Sequence, residues 1–366
     1  MKILILGNGQ LGQMLGKAVI QQGHECVLYS DRLDKVMALG SQQPLAMTLA
    51  EANDWADVTT WEHEHLGEEL VAKTADKFLL KAERFNGLVD RRTQKALCDE
   101  LDIPTSAWKA YENVAELTAI LESCDHAVVI KSAKGGYDGK GQWRWKPGED
   151  TAAVAEEAGQ RPGIVEDMIN FTDEVSVVGA RSHKGEQRCF PLTLNVHTKG
   201  ILSYSLAGAE HFSKALEALA KEHHKKLTDA LDYVGVLAIE FFVVGEGDNQ
   251  HLLVNEVAPR VHNSGHWTMS GANCDQFNLQ IRAITGLPLP ELLIAPTLMV
   301  NVIGVAGIPE ALWEAAAADC HWYGKDARPG RKVGHVNIMI DSFERGENLA
   351  STWADKLRSS SHFCIS

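Results

Sequence analysis

The chain has no C-x-x-C pair; its seven cysteines, Cys26, Cys98, Cys124, Cys189, Cys274, Cys320 and Cys364, stand apart and are odd in number. That pattern fits reduced thiols and argues against a disulfide framework. No uninterrupted apolar run reaches the roughly 18 residues that a membrane-spanning helix needs, and the short apolar start breaks at Gly7 without the longer core or cleavage site of a secretory signal. These absences lead us to expect a cytoplasmic protein with no membrane partner. A surplus of positive charge is missing too: 35 Lys and Arg stand against 49 Asp and Glu, a net charge of −14, the wrong sign for holding nucleic acid through a broad basic field. Any anion must therefore bind in a local basic pocket. Internal repeats, low-complexity tracts and long linkers are absent, as are the P-loop signature and the kinase glycine-loop set.

What is there is a chain able to bury large cores. At roughly 150 residues per domain, 366 residues imply two or three packed units, and 45% hydrophobic with 23% charged residues matches soluble globular proteins. Residues 2–6 are continuously apolar and run into Gly7-Asn8-Gly9-Gln10-Leu11-Gly12, a helical pattern to about Gln22, and a second apolar run from Cys26 to Tyr29. With a further buried run from Asp57 to Trp61, this first part reads as a parallel sheet covered by helices. A helix is expected after Asp90, strands at 127–131, 142–145, 164–169, 174–180 and 189–196, and an amphipathic helix over about 209–233. Gly235 to Val244 and His251 to Val257 read as an antiparallel hairpin. The tail from about 291 carries a strand at Leu298 to Ile303, a helix around 309–318, a basic segment at 324–334 and a strand at Val336 to Ile340, a third small unit.

Several patterns carry chemistry. The first glycine cluster matches G-x-G-x-x-G between a strand and a helix, and Asp31 stands where a ribose-binding acid would. A nicotinamide-dependent dehydrogenase is one reading and a tight structural turn the other. Lys131 sits at a strand end, four residues before a loop with four glycines at positions 135–141. Such a loop folds over a triphosphate with its amides turned inward, while the lysine supplies a point charge; the plain alternative is a glycine hairpin. Glu240 and Glu256 lie in apolar strands, where an unpaired carboxylate is costly; on one face they would share Mg²⁺, and otherwise each would pair with a Lys or Arg. A regular strand turns Asn255 to the opposite face, although near the strand end it could still serve a ligand. The polar run Pro259 to Trp267 reads as a loop, and its His262 and His266 lack the helix and the third ligand of a zinc site. His63/His65 and His223/His224 read as solvated or structural. Lys325, Arg328, Arg331 and Lys332 crowd around Pro329-Gly330 and form either a phosphate grip or a solvated basic turn.

Taken in order, Gly7 to Gly12, Asp90 to Lys95, Gly135 to Gln142, Asn255 to Trp267 and Arg328 to His335 resemble the ATP-grasp superfamily, and more narrowly its ATP-dependent 5-(carboxyamino)imidazole ribonucleotide synthases. The resemblance implies an α/β (α+β overall) fold with a Rossmann-like parallel sheet domain over 1–90 that holds no dinucleotide. A two-lobed ATP-grasp domain would span 91–290, its lid lobe over about 122–195, and a small C-terminal domain 291–366. It implies ATP-dependent carboxylation of 5-aminoimidazole ribonucleotide with bicarbonate, in a homodimer with no nucleic-acid partner. Arg91 and Lys131 would meet ATP phosphates; Gly136, Tyr137, Asp138, Gly139, Lys140, Gly141 and Gln142 would form the lid; Glu166, Asp167, Met168 and Ile169 would meet the adenine; Glu174 and His197 would bind ribose or neighbouring groups. Glu240 and Glu256 would ligate Mg²⁺, or Mn²⁺ in its place, with Asn255 beside them. The ribonucleotide would meet Glu62, Tyr137, Asp138, Lys140, Arg260, His262, Asn263 and Ser264, with its phosphate on Lys325, Arg331 and Lys332; Lys131, Arg260 and His262 would be catalytic. Lys140 stands where some members carry Arg, and Glu166-Asp167-Met168 replaces the Glu-Gln-Gly of some relatives. Competing readings are another ATP-grasp ligase, such as a formate-dependent glycinamide ribonucleotide formyltransferase or a biotin carboxylase, and, in another class, an NAD(P)-dependent dehydrogenase.

Overall fold

The computed structural model describes residues 1–135, 141–314 and 318–359. The first apolar run is strand β1 (Lys2–Leu6), flanked in parallel by β2 (Glu25–Ser30) and β4 (Val58–Trp61), with the short β3 (Lys35–Met37) antiparallel on the β2 edge. A strand buried on both faces needs cover on both faces. The helix Gln10–Gln21 supplies one layer through Leu15, Ala18 and Val19, which pack with Ile3 and Ile5, while Leu4 and Leu6 turn to a separate core with Val71 and Phe85.

A second sheet, in the order β5 (Trp108–Tyr111), β8 (Gly163–Asp167), β6 (Val128–Ser132), β7 (Gln142–Trp145), forms a small lobe around Tyr111, Ile130, Trp145 and Val165. The lid lobe expected over about 122–195 therefore begins earlier and ends sooner. Glu166 pairs with Trp108, whereas the chain from β9 (Asp173–Arg181) onward hydrogen-bonds to a different sheet.

That third sheet has nine strands. Along it run β14 (His251–Ala258), β13 (Gly235–Val244), β9, β11 (Thr193–Thr198), β12 (Ile201–Ala207), β15 (Thr297–Ile303), β17 (Lys332–Met339) and β16 (Ala318–Trp322), with β10 (Gln187–Cys189) also paired to β9. The C-terminal strands thus continue the central sheet, Tyr204 of β12 lying opposite Val300 of β15. Alternation sorts its two faces: Val177, Leu237, Ile239 and Phe241 pack on Leu216, Ala220 and Leu227 of the helix Lys214–Ala230, and Val178, Val236 and Ala238 pack on Phe277, Leu279 and Ile281 of the helix Gln276–Thr285.

The differences from the sequence reading have local causes. The run 189–196 is two strands because Pro191 between them has no N–H to give a ladder. β12 went unread because the Lys199-Gly200 turn, with φ of 54° and 76°, is a tight hairpin without an Asn-Gly or Asp-Gly pair. The helix expected around 309–318 is the single turn Glu310–Trp313, β16 begins at Ala318, and the helix Phe343–Ser359 covering β15 and β12 was not anticipated.

Gln280 joins the first sheet to the third. Its Nε2 donates to Thr60 Oγ1 on β4 at 3.0 Å and its Oε1 accepts the Val236 N–H. Gly235 must be glycine there, since φ is 126° and a Cβ would stand 2.7 Å from Gln280 Oε1. Gln280→Ala orphans a buried amide and a buried hydroxyl, so we expect a loss of about 1–3 kcal/mol, read as a lower urea midpoint at unchanged m-value; an unshifted midpoint would show that the bridge carries no stability.

Candidate active site

The three sheets enclose a cleft of about 1770 Å³. One wall is the small lobe, where Lys131 on β6, Gln142 on β7 and Glu166, Asp167, Met168 and Ile169 at the end of β8 face the space. Glu166 is buried. It accepts from Ser106 Oγ at 2.7 Å, pairs with Lys131 Nζ at 2.5 Å and also pairs with Lys95. Burial alone would raise its carboxyl, but the two ammonium groups outweigh that and hold it down at about 2. Lys131 also donates to Asn255 Oδ1 at 3.0 Å. Glu166, expected with its three successors to meet the adenine, lines the cleft and clamps Lys131 from its back.

The floor is the β13–β14 hairpin. Glu240 lies directly opposite Glu256, and the register then slips so that Phe241 faces Val254. That bulge leaves Asn255 without an opposite partner and brings it to the cleft beside Glu256, where a regular strand would have turned it away. Burial, then the charges of Glu256 and Glu174, raise the Glu240 carboxyl above its ordinary value, with His197 pulling the other way. Two facing carboxylates crowded in this way fit a hard divalent cation that takes its remaining ligands from phosphate oxygens and water. His197 pairs with Glu174 at 2.6 Å; burial disfavours its charge, but Glu174 and Glu240 prevail and raise it. Arg91, the first residue of the helix Arg91–Glu100, stands 3.7 Å from Glu256 and donates to the Ser132 carbonyl at 3.0 Å.

The opposite wall combines the N-terminal sheet, the loop after β14 and the basic tail. Arg260 forms a two-point pair with the buried Glu64, whose carboxyl burial would raise but the guanidinium holds at about 2. Gln276 pins the loop, accepting the His262 N–H at 2.8 Å and donating to the His262 carbonyl at 2.8 Å. Asn263 exchanges two amide bonds with Asn301, at 3.1 and 2.8 Å. Burial, then Arg260 and Lys332, hold the His262 imidazole well below its usual value. Arg260, His262, Asn263, Lys325, Arg328, Arg331 and Lys332 all line the cleft. The four cations of the tail thus gather on a concave surface.

Ser264 is fully buried beneath His262 and so does not itself face the cleft. Gly141 accepts the Ser132 N–H at 3.0 Å, next to the lining residues Lys131 and Gln142. Gly136, Tyr137, Asp138, Gly139 and Lys140 lie outside the described residues. Glu62 reaches the cleft, yet its carboxylate accepts the amides of Gly9 at 3.0 Å and Gly12 at 2.7 Å. A Cβ on Gly7, at φ 113°, would stand 2.1 Å from Glu62 Cγ. The helix N-terminus that a dinucleotide phosphate would use is occupied by the chain's own carboxylate. Sequence reading missed Glu64, Lys95, Ser106, Arg144, Phe171, Lys199 and Phe242. Lys95 ended one of the segments that carry the resemblance, and Phe242 shares the alternation phase of Glu240; the Phe242 ring stacks on Phe171 at 4.5 Å and 15°, an apolar shelf that lines the cleft with Met168.

Glu64 and Glu166 both ionise more readily folded than unfolded, so the native state binds fewer protons. Their stabilisation is full above the ordinary carboxyl value of 4.5 and is lost as pH falls toward about 2. Each is worth on the order of 3 kcal/mol, and urea titrations across roughly pH 6 to 2.5 should show the midpoint falling steeply through the lower half of that range; a flat profile would contradict the two buried pairs.

Residues 96–277 match the ATP-grasp domain family, and residues 297–348 match the phosphoribosylaminoimidazole carboxylase C-terminal domain. The chain is 40% identical to the N5-carboxyaminoimidazole ribonucleotide synthase of Vibrio parahaemolyticus over 93% of its length and 91% of that protein's. It is 39% identical to that of Escherichia coli over 94% and 92%. It is also similar, at 25% identity and a TM-score of 0.83 over 97% and 98% of the two chains, to the Aspergillus clavatus N5-carboxyaminoimidazole synthase solved with ADP and 5-aminoimidazole ribonucleotide. Among the described residues no helix is long and apolar enough to cross a membrane. With its fold, its cleft and nearly its whole length matched, the chain belongs to the N5-carboxyaminoimidazole ribonucleotide synthase family of ATP-grasp enzymes.

Proposed function

We propose that the cleft carboxylates 5-aminoimidazole ribonucleotide on its exocyclic amine, using bicarbonate and ATP and releasing ADP and phosphate. The observation that carries this reading is the meeting, in one cleft, of the facing pair Glu240/Glu256, the clamped Lys131 and the basic tail. Bicarbonate is a poor acyl donor because hydroxide leaves badly. A bicarbonate oxygen therefore attacks the γ-phosphorus, the bond to the β–γ bridging oxygen breaks, and ADP departs. The amine nitrogen then bonds to the carbon of carboxyphosphate, phosphate leaves, and the nitrogen gives up a proton.

Glu240 and Glu256 would hold Mg²⁺, or Mn²⁺ in its place, which supplies charge neutralisation to the phosphates when bound. Lys131, aimed by Glu166 and Asn255, places a point charge toward the transferring group, with Arg91 beside it. The Phe171–Phe242 shelf with Met168 and Ile169 offers a flat apolar face to adenine, and Glu174 and His197 lie within reach of its ribose. Arg260, His262 and Asn263 would hold the bicarbonate and the imidazole. Lys325, Arg331 and Lys332 would hold the ribonucleotide phosphate, and the lid 136–142 would exclude the water that wastes carboxyphosphate. The three domains over 1–90, 91–290 and 291–366 are kept as part of this reading, with the lid lobe redrawn to the small sheet that runs from β5 to β8, as are a cytoplasmic setting and a homodimer.

ADP release from Mg-ATP and bicarbonate should require 5-aminoimidazole ribonucleotide, with labelled bicarbonate trapped as a carbamate; turnover with formate or another acceptor would move the chain to a different ATP-grasp reaction. Glu256→Gln should lower kcat by roughly 100-fold or more, and wild-type turnover in that variant would remove the metal role. Lys332→Ala should raise the KM for the ribonucleotide roughly 10-fold or more and leave the KM for ATP nearly unchanged; a rise selective for ATP would place the phosphate grip elsewhere.

A further inference from the structure

A row of small polar side chains crosses the central sheet beneath the site. Ser176 on β9, Asn195 on β11 and Ser205 on β12 are between 0 and 3% exposed, and Ser264, in the loop above them, is fully buried. The register explains the row: Asn195 lies directly opposite Ser205, and Ser176 opposite Thr193, two residues along β11 on the same face as Asn195. The four make a continuous chain of bonds, Ser205 Oγ to Asn195 Oδ1 at 2.7 Å, Asn195 Nδ2 to Ser176 Oγ at 2.9 Å, Ser176 Oγ to Ser264 Oγ at 2.8 Å, and Ser264 Oγ to His262 Nδ1 at 2.9 Å.

Hydroxyls can point either way, so the chain alone leaves its direction open. One backbone group settles it. The Ser264 N–H donates to His262 Nδ1 at 3.3 Å, and a backbone amide can only donate. Nδ1 therefore carries a lone pair, and the Ser264 hydroxyl at 2.9 Å must also donate to it. Its own oxygen then accepts from Ser176, Ser176 accepts from the Asn195 amide, and the Asn195 carbonyl accepts from Ser205. Every donor in the row points toward the histidine. With Nδ1 accepting two bonds, the ring proton sits on Nε2, the atom that faces the cleft 3.7 Å from Glu240 Oε1.

We infer that His262 presents a fixed Nε2–H to the cleft as a hydrogen-bond donor for a small oxyanion, and that Ser264, Ser176, Asn195 and Ser205 are positioning residues that hold this tautomer. The donor role rests on the carboxylation reading above, where the oxyanion is bicarbonate or the carboxyl group derived from it; the tautomer itself rests on the hydrogen bonds alone. The consequence is that His262 does not serve as the general base that takes the amine proton, because the nitrogen facing the reactants already carries one. A preorganised donor of this kind acts on charge that develops on the acyl oxygens and costs no reorganisation during the step.

The test is a side-chain ¹⁵N spectrum of the full-length protein labelled at histidine, with His262→Gln identifying the His262 signals by their loss. Near neutral pH and without ligands, Nδ1 should give a pyridine-type shift and Nε2 a pyrrole-type shift. The reverse assignment, or the averaged pattern of exchanging tautomers, overturns the inference. Ser264→Ala and, one bond further away, Ser176→Ala should each move both shifts toward the averaged pattern; unmoved shifts in the two variants would show that the row does not hold the tautomer. In turnover, a glutamine amide N–H stands where Nε2–H stands and an asparagine amide stands near Nδ1, so His262→Gln should retain kcat to within about 10-fold while His262→Asn loses about 100-fold or more. Equal losses in the two would overturn the donor role. The spectrum needs no turnover, so a protein with the expected tautomer but no ribonucleotide-dependent ADP release contradicts the proposed function and leaves the tautomer standing.

Discussion

Two carboxylates face each other across one rung of an antiparallel ladder, and like charges placed there repel. The rest of the cleft is arranged around that pairing. His197 is drawn toward its charged form by Glu174 and Glu240, Arg91 stands at ionic distance from Glu256, and Lys131 is aimed at the bulged Asn255 next door. None of these groups cancels the pair outright, and a cation carried in with phosphates would complete it. The same electrostatic need accounts for the two deeper clamps. Glu166 restrains Lys131 together with Lys95, and Glu64 restrains Arg260, so the positive groups that face the substrate space are held by buried carboxylates rather than left to find their own partners. A buried pair of this kind contributes little net stability compared with an apolar core, yet it places a charge accurately.

The fold serves this arrangement by running one sheet through the whole site. The Glu240/Glu256 hairpin, the Ser176, Asn195 and Ser205 members of the polar row and the strand that follows the basic tail all belong to the same nine-stranded sheet. Their relative positions are therefore set by ladder register rather than by a hinge. The small lobe is a separate sheet with its own core, joined to the large one through Pro104 and Thr105, which hydrogen-bond Val254 on the edge strand β14. The N-terminal sheet keeps the strand, glycine turn and helix of a nucleotide-binding unit but has turned its anion site inward onto Glu62. It contributes a wall to the cleft, and its glycines serve close approach by a carboxylate of the same chain.

Much of this was legible from the residues alone. Apolar runs located β1, β2, β4, β6, β13, β14 and β15 to within two residues at each end, because a largely buried strand has few places for a polar side chain, and β7 was placed by its extended pattern after the glycines. Lys131, Glu240, Glu256 and the tail cations stood out because charge amid apolar strands, or basic charge in an acidic chain, needs a reason. Resemblance over ordered segments then tied them to one family. What stayed hidden depended on contacts between distant segments: Lys95 meets Glu166 across 71 positions and Glu64 meets Arg260 across 196, and no local spacing announces such a partner. The edge strands β5 and β16 are short and half exposed, so they carry no apolar run to read.

The sequence by itself determined the chemistry available, since side-chain types, the glycines that permit tight turns and the period of the apolar positions are local properties. The tertiary structure decided which of those groups act together and in what state. A one-residue bulge brought Asn255 to the same side as Glu256, a backbone amide assigned the proton on His262, and a glutamate from the first sheet closed the glycine loop that local pattern had offered to a dinucleotide. Each of those outcomes depends on distances of about 3 Å between groups that register and packing bring together, and such distances do not exist until the chain has folded.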